Sequence, residues 1–596
     1  MRSKNSSYNQ ILNLWGHLES SQRFKLFTLC LLILFSGFLE ILTIGSVVPF
    51  MMAIVDSESL YSNPNLSKIL DFFEIETTVQ LIFFLSSIFA FAIISSSIAR
   101  LVIAKFNFRW CYEIIASIAV KVFKVSLDQS YSFHQAKNSS ETVSGIIQKT
   151  GSLLSALILP VMVIIQTSIL VISVLITLFL AVDISNVFII FLFACSYALF
   201  SIFLKKRLDT NSFIIAEHQV KGLNALQESL AGIKDLILND GKDFYSSKFE
   251  QAETLYRRKI GENAYISVFP RFFIEAAGIV IIILIIVLNI SVGQKPETIL
   301  PSIAVLALSA QRVLPYLQQM YASYAAISGN KKVISDALEQ LNQPTPRVST
   351  REDGISFEKE IKFNKVFYKY PNTVDYVLKD FNLTIKKGEK IGLIGTTGCG
   401  KSTSADILMG LLQPEKGQIL IDGKDLQTLN LKSWYKKISH VPQKIFISDS
   451  SIKQNIILGH DHEYRKEQRV SQALRDASLE DFVSQLPEGE NTQTGEDGSL
   501  LSGGQRQRIG IARSFFKGGD LVIFDEATNA LDNKTENIIV ESLEKLGEDK
   551  TVVIIAHNLD TIKNCDQVVI VSEGKVVAKG PYDKISENDS FKSMIQ

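Results

Sequence analysis

Eight consecutive residues, Gly395 to Ser402, follow the pattern G-x-x-x-x-G-K-[ST]. The glycines of such a loop let backbone N–H groups surround phosphate oxygens, and the N-terminus of the helix that follows favours anions. A buried-strand pattern, 391–394, directly precedes the loop, as a phosphate-binding loop requires. In this setting Lys401 reaches the β- and γ-phosphates of a nucleotide, and the hydroxyl of Ser402 coordinates Mg²⁺. The predicted nucleotide-binding residues of the loop are Gly395, Thr396, Thr397, Gly398, Cys399, Gly400, Lys401, Ser402 and Thr403.

A second apolar run ends in two acidic residues that suit nucleotide hydrolysis. Residues 521–524 read as another buried strand, and Asp525-Glu526 follows it. Asp525 is placed to hold Mg²⁺ through water, and Glu526 is placed to polarise the attacking water. Because Asp-Glu after an apolar run is common in proteins, its significance here depends on the residues just upstream.

The residues upstream are Leu501-Ser502-Gly503-Gly504-Gln505. With the phosphate-binding loop, they make residues 355–590 resemble the ATPase domains of ATP-binding-cassette (ABC) transporters, in which LSGGQ is the signature sequence. The resemblance implies that the nucleotide is ATP and that two chains work as a dimer. It also implies that Ser502, Gly503, Gly504 and Gln505 begin a helix that faces the γ-phosphate held by the partner.

The same resemblance implies roles for three further residues. Tyr370 occupies the place of an aromatic residue that stacks on adenine, and the alternative is a surface tyrosine at a turn. Gln443 matches a glutamine that contacts Mg²⁺ or the attacking water and links the site to the membrane half. His557, after the apolar run 552–556, matches a histidine that contacts the γ-phosphate, and the alternative is a structural histidine. The predicted catalytic residues are Glu526, His557 and Gln443, and the predicted Mg²⁺ ligands are Ser402, Gln443 and Asp525.

Two short motifs depart from the family pattern. Asn529 replaces the usual serine at the start of residues 529–532, and Thr494 replaces the usual valine at the start of residues 494–498. With Glu496 in place, the second motif resembles a segment of ABC exporters. It favours an exporter over an importer, as does the fusion of a membrane half to the ATPase.

The first part of the chain has the composition of a membrane protein. The 596 residues are 47% hydrophobic, and their net charge of zero gives no reason to predict a nucleic-acid partner. Crossing a bilayer as a helix takes roughly 20 apolar residues. Six segments reach this length: 25–55, 79–104, 152–181, 184–204, 270–293 and 297–323. The predicted fold is multidomain, with an all-α six-helix transmembrane domain of the ABC exporter type (1–341), a polar linker (342–354) and an α/β P-loop ATPase domain (355–596).

The charges of the loops predict the orientation of the spans. The 56–78 loop is acidic, whereas basic residues concentrate in 105–150 and 205–207 and directly after the sixth span. Because basic loops stay in the cytoplasm, we expect the N-terminus and the ATPase domain to be cytoplasmic. In ABC exporters the turns of such loops, here near 131–138 and 230–242, are coupling helices that dock on the ATPase. Plain connectors are the alternative.

Charged residues inside the spans are costly and are therefore candidate substrate contacts. Arg271 and Glu275 are four residues apart, so they share a helix face and can simply neutralise each other. Arg312 is the better candidate, because it lies mid-span near Pro315. The candidate substrate residues are Arg271, Arg312, Arg100 and Glu275, with structural pairing, which also applies to Glu40, as the alternative.

The 56–78 loop is longer than a turn between spans needs. Leu66, Ile69, Leu70 and Phe73 follow helical spacing within it. They predict a short amphipathic helix at the outer membrane surface, and a lid packed on the other spans is the alternative.

Several membrane segments resemble the bacterial lipid-linked oligosaccharide flippases of the Pgl type. They are residues 37–40 (GFLE), 48–50 (VPF), 270–278 (PRFFIEAAG) and 311–315 (QRVLP). The resemblance implies a polyprenyl-pyrophosphate cargo whose tail engages the external helix and whose pyrophosphate is handled by cavity arginines, and arginine suits phosphate.

The sequence thus predicts a homodimer in the bacterial inner membrane that moves an amphiphilic, lipid-linked substrate by ATP-driven alternating access. An exporter of another lipid, a drug or a peptide is one alternative. An ATPase that gates or senses without transport is another.

Overall fold

The computed structural model describes residues 7–55, 57–61, 70, 72–136, 139–181, 184–291, 296–344, 355–371, 373–459, 466–526, 550–556 and 560–587. The chain divides into two compact units, residues 1–129 with 137–345, and residues 130–136 with 346–596. The first is the helical unit and the second is the ATPase unit.

Long α-helices dominate the first 345 residues. The helices of this region are α1 (Ser7–His17), α2 (Ser20–Gly45), α3 (Val47–Val55), α4 (Ser57–Tyr61), α5 (Thr78–Leu127), α6 (Tyr131–Ala136), α7 (Ser139–Ser144), α8 (Thr150–Leu153), α9 (Leu159–Ala181), α10 (Ile184–Ala231), α11 (Ile233–Leu238), α12 (Lys242–Ser291), α13 (Pro296–Gly329) and α14 (Lys331–Leu341). Helices α5 and α12 have 50 residues each and α10 has 48. At about 1.5 Å per residue each is roughly 70–75 Å long, more than twice the roughly 30 Å of a bilayer's hydrocarbon core.

Local sequence sets where the long helices begin. At the start of α5, the Thr77 hydroxyl accepts from the N–H of Gln80, and the Gln80 side chain accepts from the N–H of Thr77. This reciprocal capping satisfies donors that have no partner inside the helix. Two π-helical turns, Gly145–Lys149 and Leu154–Ile158, flank α8 and lead into α9.

Three helical stretches of the described residues are long and apolar enough to cross a membrane, namely Ser20–Ile54, Thr78–Leu127 and Thr142–Thr177. They overlap the predicted spans 25–55, 79–104 and 152–181. The other three predicted spans fall in α10, α12 and α13, where many side chains are outside the described set. The predicted external helix and the linker fall mainly on residues 62–69 and 345–354, which also lie outside it.

The strands of the ATPase unit form two β-sheets. Its strands are β1 (Glu360–Tyr368), β2 (Leu378–Lys386), β3 (Lys390–Ile394), β4 (Lys416–Ile421), β5 (Lys424–Asp425), β6 (Ile438–Val441), β7 (Leu521–Asp525), β8 (Thr551–Ile555), β9 (Gln567–Ser572) and β10 (Lys575–Gly580). Its helices are α15 (Lys401–Leu408), α16 (Leu431–Lys437), α17 (Ile452–Ile457), α18 (Lys466–Asp476), α19 (Glu480–Ser484), α20 (Gly503–Lys517) and α21 (Tyr582–Ser586).

Strand order places the chemistry at one edge of the larger sheet. Four strands form a sheet in the order β2-β1-β4-β5, and six form a sheet in the order β10-β9-β3-β8-β7-β6. Strands β9, β3, β8, β7 and β6 are parallel neighbours, so their carboxyl ends meet at the same edge. Leu393 pairs with Ile555, which pairs with Asp525. The phosphate-binding loop and the Asp-Glu pair therefore leave the sheet two strands apart.

Candidate nucleotide site

The phosphate-binding loop joins β3 to α15, and at two of its three glycines, Gly395 and Gly400, there is no room for a side chain. Gly400 has φ of +106°, a left-handed conformation that side chains other than glycine avoid. A Cβ there would lie 2.6 Å from Cδ2 of Leu378. A Cβ at Gly395 would lie 2.2 Å from the carbonyl oxygen of Val571 and 2.6 Å from Sγ of Cys399. The loop is thus a close-packed cradle of backbone, as phosphate binding by N–H groups requires.

Lys401 lies folded over this cradle. Its side chain is buried, and Nζ donates to the carbonyl oxygens of Gly395 at 2.7 Å and Thr396 at 3.1 Å. Both acceptors are neutral, so they do not cancel the ammonium charge. A phosphate in the loop would meet a lysine that is already positioned at its mouth.

Ser402 and Asp525 bring two oxygen ligands together from separate elements. The Ser402 hydroxyl, on the first turn of α15, donates to Oδ1 of Asp525 at 3.3 Å. A hydroxyl and a carboxylate are the ligands that Mg²⁺ prefers, together with phosphate oxygens and water. The residues present therefore fit the ion that accompanies ATP.

Asp406 stands beside this pair and was missed by the sequence reasoning. Burial, together with a smaller effect of the neighbouring Asp525 carboxylate, raises the pKa of Asp406 to about 6. The sequence signal for Asp406 was its spacing: it lies four residues after Ser402, so both residues are on the same face of α15.

Glu526 and Gln443 meet where β7 and β6 end. Nε2 of Gln443 donates to Oε2 of Glu526 at 2.6 Å, and the N–H of Glu526 donates to the carbonyl oxygen of Ile555 at 2.9 Å. The amide therefore orients the carboxylate that is predicted to polarise water. The chain turns sharply here, because Glu526 has φ of +50°.

Tyr370 reaches the helix that follows the phosphate-binding loop. Its hydroxyl lies 3.0 Å from Oγ1 of Thr403, and its ring packs edge-on against Tyr368 at 5.2 Å between centroids. This places an aromatic ring next to the loop, where adenine stacking would require it. These two contacts disfavour the alternative that Tyr370 is a surface tyrosine without a role.

The signature residues begin α20 with another reciprocal cap. The Ser502 hydroxyl accepts from the N–H of Gln505 at 3.2 Å, and Oε1 of Gln505 accepts from the N–H of Ser502 at 2.7 Å. These bonds occupy the polar side chains at this terminus. Gly503 and Gly504 lie in the first turn of α20, where the sequence predicts that an anion binds.

Sequence reasoning also missed a buried polar network that joins α20 to the segment after Gln443. Arg513 donates through Nε to the carbonyl of Asn455 and through Nη2 to that of Phe446, both at 2.9 Å. Asn455 Nδ2 donates in turn to the carbonyl of Ser448 and the hydroxyl of Thr494. The Thr494 hydroxyl bonds to the carbonyls of Ser448 and Ser450, a role that valine could not fill.

Two sequence-predicted features lie outside the described residues. His557 and residues 529–532 belong to segments about whose structure nothing is described. Their roles stay predictions.

The five charged residues that the sequence places inside the spans form two separate groups. Arg271 pairs with Glu275 on its own helix at 2.7 Å, as the spacing predicts. Glu40 is fully buried, and its carboxylate accepts from the hydroxyls of Ser96 at 3.0 Å and Tyr316 at 3.2 Å.

Two arginines converge on Glu40 and its partners. Nη1 of Arg312 lies 3.5 Å from Oε1 of Glu40, and Nη1 of Arg100 donates to the Tyr316 hydroxyl at 3.1 Å. Arg312 therefore has an acidic partner on α2, which the sequence did not predict.

Comparison with known proteins agrees with this geometry. Residues 378–529 match the family model of ABC transporters. The whole fold resembles the structure of a bacterial Atm1-family ABC exporter with ATP bound, with a TM-score of 0.81 and 20% sequence identity over 97% of this chain and 98% of that one.

Curated relatives share parts of the chain. The ATP-dependent lipid A-core flippase of Alkalilimnicola ehrlichii is 31% identical over 369 residues, which are 61% of this chain and 62% of that protein. The leukotoxin translocation ATP-binding protein LktB of Mannheimia glucosida is 35% identical over 304 residues, 51% of this chain and 41% of the relative. The ABC-type transporter MDR1 of Aureobasidium melanogenum is 37% identical over 268 residues, 44% of this chain and 20% of the relative. The chain thus spans less than two thirds of the length of these relatives.

The fold and the nucleotide site together define the class. The chain has the ABC exporter fold, in which a helical transmembrane domain precedes an ABC ATPase domain, and this confirms the predicted fold class. ATP and Mg²⁺, as predicted, are the cofactors of such a domain.

Proposed function

We propose that the protein is an ATP-driven flippase that exports an amphiphile with an anionic diphosphate head, namely a polyprenyl-linked oligosaccharide, across the bacterial inner membrane. The observation that carries the cargo proposal is the polar cluster of Glu40, Tyr316, Arg100 and Arg312. Among its described members, two guanidinium groups face one carboxylate. The cluster therefore carries an excess positive charge among the transmembrane helices, where a diphosphate needs cationic partners.

Side-chain exposure and pairing indicate which arginines are better placed to contact the cargo. The side chain of Arg312 is 28% exposed, whereas its partner Glu40 is fully buried and is also held by Ser96 and Tyr316. Part of the Arg312 side chain is therefore accessible to a cargo. Arg271 is 53% exposed but closes on Glu275 within its own helix. We place Arg312 and Arg100 at the head group and give Arg271 and Glu275 a secondary role there.

Hydrolysis follows from the residues at the sheet edge. Lys401 and the loop backbone bind the phosphates, and Ser402 and Asp525 supply oxygen ligands for Mg²⁺, which would neutralise charge on the transferred phosphoryl group. Glu526, held by Gln443, takes the proton of the attacking water.

In this scheme the signature of each chain acts on the phosphate-binding loop of the other, as the resemblance to ABC ATPase domains implies. Two identical chains would place Ser502 and Gly504 of one against the ATP of the other. ATP would then hold the ATPase units together and favour the outward-facing state, and hydrolysis would reset it.

Transport in liposomes tests the proposal. Purified protein is reconstituted with a fluorescently tagged polyprenyl-pyrophosphate oligosaccharide, and ATP-dependent flipping is compared with that of Glu526→Gln. Native protein should flip the lipid and the variant should not. Intact ATPase activity without flipping would contradict the cargo and leave an exporter of another lipid, a drug or a peptide.

Replacing Arg312 tests whether the polar cluster contacts the cargo. Arg312→Gln should lower flipping by about tenfold or more, because one strong charge-assisted contact is lost, while basal ATPase activity stays near the native level. Arg271→Gln is the matched control and should have a smaller effect. Equal flipping by native protein and Arg312→Gln would show that the cluster is structural. Unaltered membrane lipids in a deletion strain would favour a regulator that does not transport.

A further inference from the structure

Helix α1 has apolar side chains on two faces. Leu14 on this helix and Leu18, directly after its last residue, are buried against the helical unit, with 7% and 6% exposure. Tyr8, Leu12 and Trp15 form a second stripe, and 67%, 51% and 44% of their surfaces are exposed. A short helix with an exposed apolar stripe lies in a membrane interface rather than in water, and tryptophan is typical of that depth.

A cavity of about 320 Å³ lies beneath this helix. Its walls come from α1, α2, α5, the second π-helical turn and α9, and include Trp15, Phe27, Ile114, Val161 and Met162. The indole of Trp15 and the thiol of Cys30 are the polar groups among its lining side chains. A cavity of this size and lining accepts an apolar chain and excludes a nucleotide, sugar or peptide backbone, whose polar groups would find no partners.

Two cations stand at the end of α1 beside the cavity. The Arg23 guanidinium lies 5.7 Å from the ring centre of Trp15, and Nη2 donates to the carbonyls of Trp15 and Gly16. Nε of Arg23 is buried and has no hydrogen-bond partner among the described residues. Nζ of Lys121 lies 3.4 Å from the carbonyl oxygen of His17.

Neither cation is neutralised within the described part of the chain. No ion pair joins Arg23 or Lys121 to a described carboxylate, whereas neighbouring Lys25 pairs with Glu113 at 2.7 Å. An apolar cavity with an interfacial tryptophan and two unneutralised cations is complementary to one class of ligand, a lipid with an anionic head.

We propose that this cavity is a binding site for an anionic glycerophospholipid of the surrounding bilayer. One acyl chain would fill the cavity beneath α1, and the phosphate would lie against Arg23 and Lys121. The site would fix α1 to the membrane surface. It goes beyond the transport function and needs neither ATP nor cargo, so its test is independent of the flipping assay.

Fluorescence quenching of Trp15 tests the site. Full-length protein in nanodiscs of fixed size receives increasing fractions of brominated phosphatidylglycerol or brominated phosphatidylcholine. The difference between native protein and Trp15→Phe isolates the signal of this residue from Trp110 and Trp434. The signal should saturate with phosphatidylglycerol at a fraction about fivefold or more lower than with phosphatidylcholine, since each cation near a phosphate contributes about that factor. Equal quenching by both lipids at every fraction would overturn the proposal.

Matched variants identify the contacts. Arg23→Gln and Lys121→Gln should each reduce the preference for the anionic lipid several-fold, and Val161→Phe should weaken quenching by filling the cavity. Lys25 lies on α2, as Arg23 does, but is paired with Glu113. Lys25→Gln should therefore leave the preference for the anionic lipid intact. An equal loss in Lys25→Gln would mean that general surface charge, and not this site, sets the preference.

Competition on native protein needs no variant. Unlabelled phosphatidylglycerol should restore Trp15 fluorescence, and phosphatidylcholine should not. Restoration by a polyprenyl phosphate but not by phosphatidylglycerol would assign the cavity to cargo and overturn the proposal.

Discussion

Glu526 is placed for hydrolysis by an unusual backbone conformation. Its φ of +50° lies in the left-handed region, which costs a residue with a side chain about 1–2 kcal/mol. The turn directs the carboxylate towards Gln443, 2.6 Å away. Strain of this kind is concentrated at functional sites.

Replacing Glu526 tests its role directly. Glu526→Gln should lower ATP hydrolysis by about 10²–10⁴-fold, because the amide cannot accept a proton from water. ATP binding should persist, and a stable ATP-bound dimer should accumulate in size-exclusion chromatography.

Glu573→Gln is a suitable control. Glu573 also follows a strand of the same sheet and has φ of +49°, but its side chain is exposed. Near-native hydrolysis in Glu526→Gln would remove Glu526 from the proposed role.

The sequence predicts residues that carry chemistry through short local patterns. The phosphate-binding loop, the Asp-Glu pair and the signature each have fixed spacing, and the structure places them at strand ends and helix starts. Pairing between distant residues leaves no such pattern. Tyr316 and Glu40 are 276 positions apart, so their contact depends on how α2 and α13 pack.

At the scale of elements, Arg513 connects α20 to the segment after Gln443. Burial lowers the pKa of Arg513 to about 10, yet the group still donates to two carbonyls. Gly510 helps on the same helix, because a Cβ there would lie 2.4 Å from Cδ1 of Ile445. Direct contacts therefore join the segment after Gln443 to the signature helix.

Removing this connection should loosen the segment. Arg513→Met should lower the free energy of unfolding by about 2–3 kcal/mol, since two hydrogen bonds from a charged group are lost. Hydrogen exchange should show reduced protection in residues 446–455. Arg508→Met, whose guanidinium donates to the Ser478 carbonyl, is the control and should leave that segment protected. Unchanged exchange in Arg513→Met would contradict the connection.

Strand β6 contains a pH-sensitive residue. Burial, together with a smaller effect of the positive charge of Lys517, lowers the pKa of His440 to about 4. Its Nε2 has no hydrogen-bond partner among the described residues. The folded state therefore holds the neutral form, whereas an unfolded histidine has a pKa of about 6.5.

The sign of the effect follows from the lowered pKa. The stability contribution is complete above about pH 6.5 and is lost as the pH falls towards 4, by about 3 kcal/mol in total. His440→Leu should flatten the melting temperature of the ATPase unit across this window, measured by thermal unfolding at several pH values. His134→Leu, at an exposed position, should not. An equally steep acid dependence in both variants would assign it to other groups.

Element types were predictable from apolar periodicity, and some long-range details were not. The buried runs before the phosphate-binding loop and before Asp525 predict β3 and β7, because parallel strands are apolar on both faces. The two π-helical turns before α9 have no sequence signal of their own. The first of them packs against α14, where the Gln340 side chain fills the space in front of Gly145.

For the whole molecule, the main consequence of the proposed function is that each ATP site takes its phosphate-binding loop from one chain and its signature from the other. If each ATP lies between the phosphate-binding loop of one chain and the signature of its partner, two different inactive chains can complement each other. Lys401→Ala disables the loop, and Gly504→Asp places a carboxylate where a phosphate is expected.

An equimolar mixture of these variants should recover about a quarter of native ATPase activity, because half of the random dimers hold one complete site of two. Each variant alone should be inactive. The measurement is phosphate release after co-expression and purification. No recovery in a verified mixed dimer would contradict sharing of the site between chains.

The π-helical turns on either side of α8 have a consequence for how the chain tolerates change. Each such turn holds one residue more than an α-helical turn, so the buried face of the helix rotates by roughly 100° at each turn. Lys149 and Thr150 are buried where α8 begins, and Leu157 and Ile158 are buried in the π-helical turn after α8 ends. Removing a single residue from either turn would restore a regular helix and direct one of these faces away from the core. In this segment the length of the sequence, and not only its composition, determines which side chains the core receives.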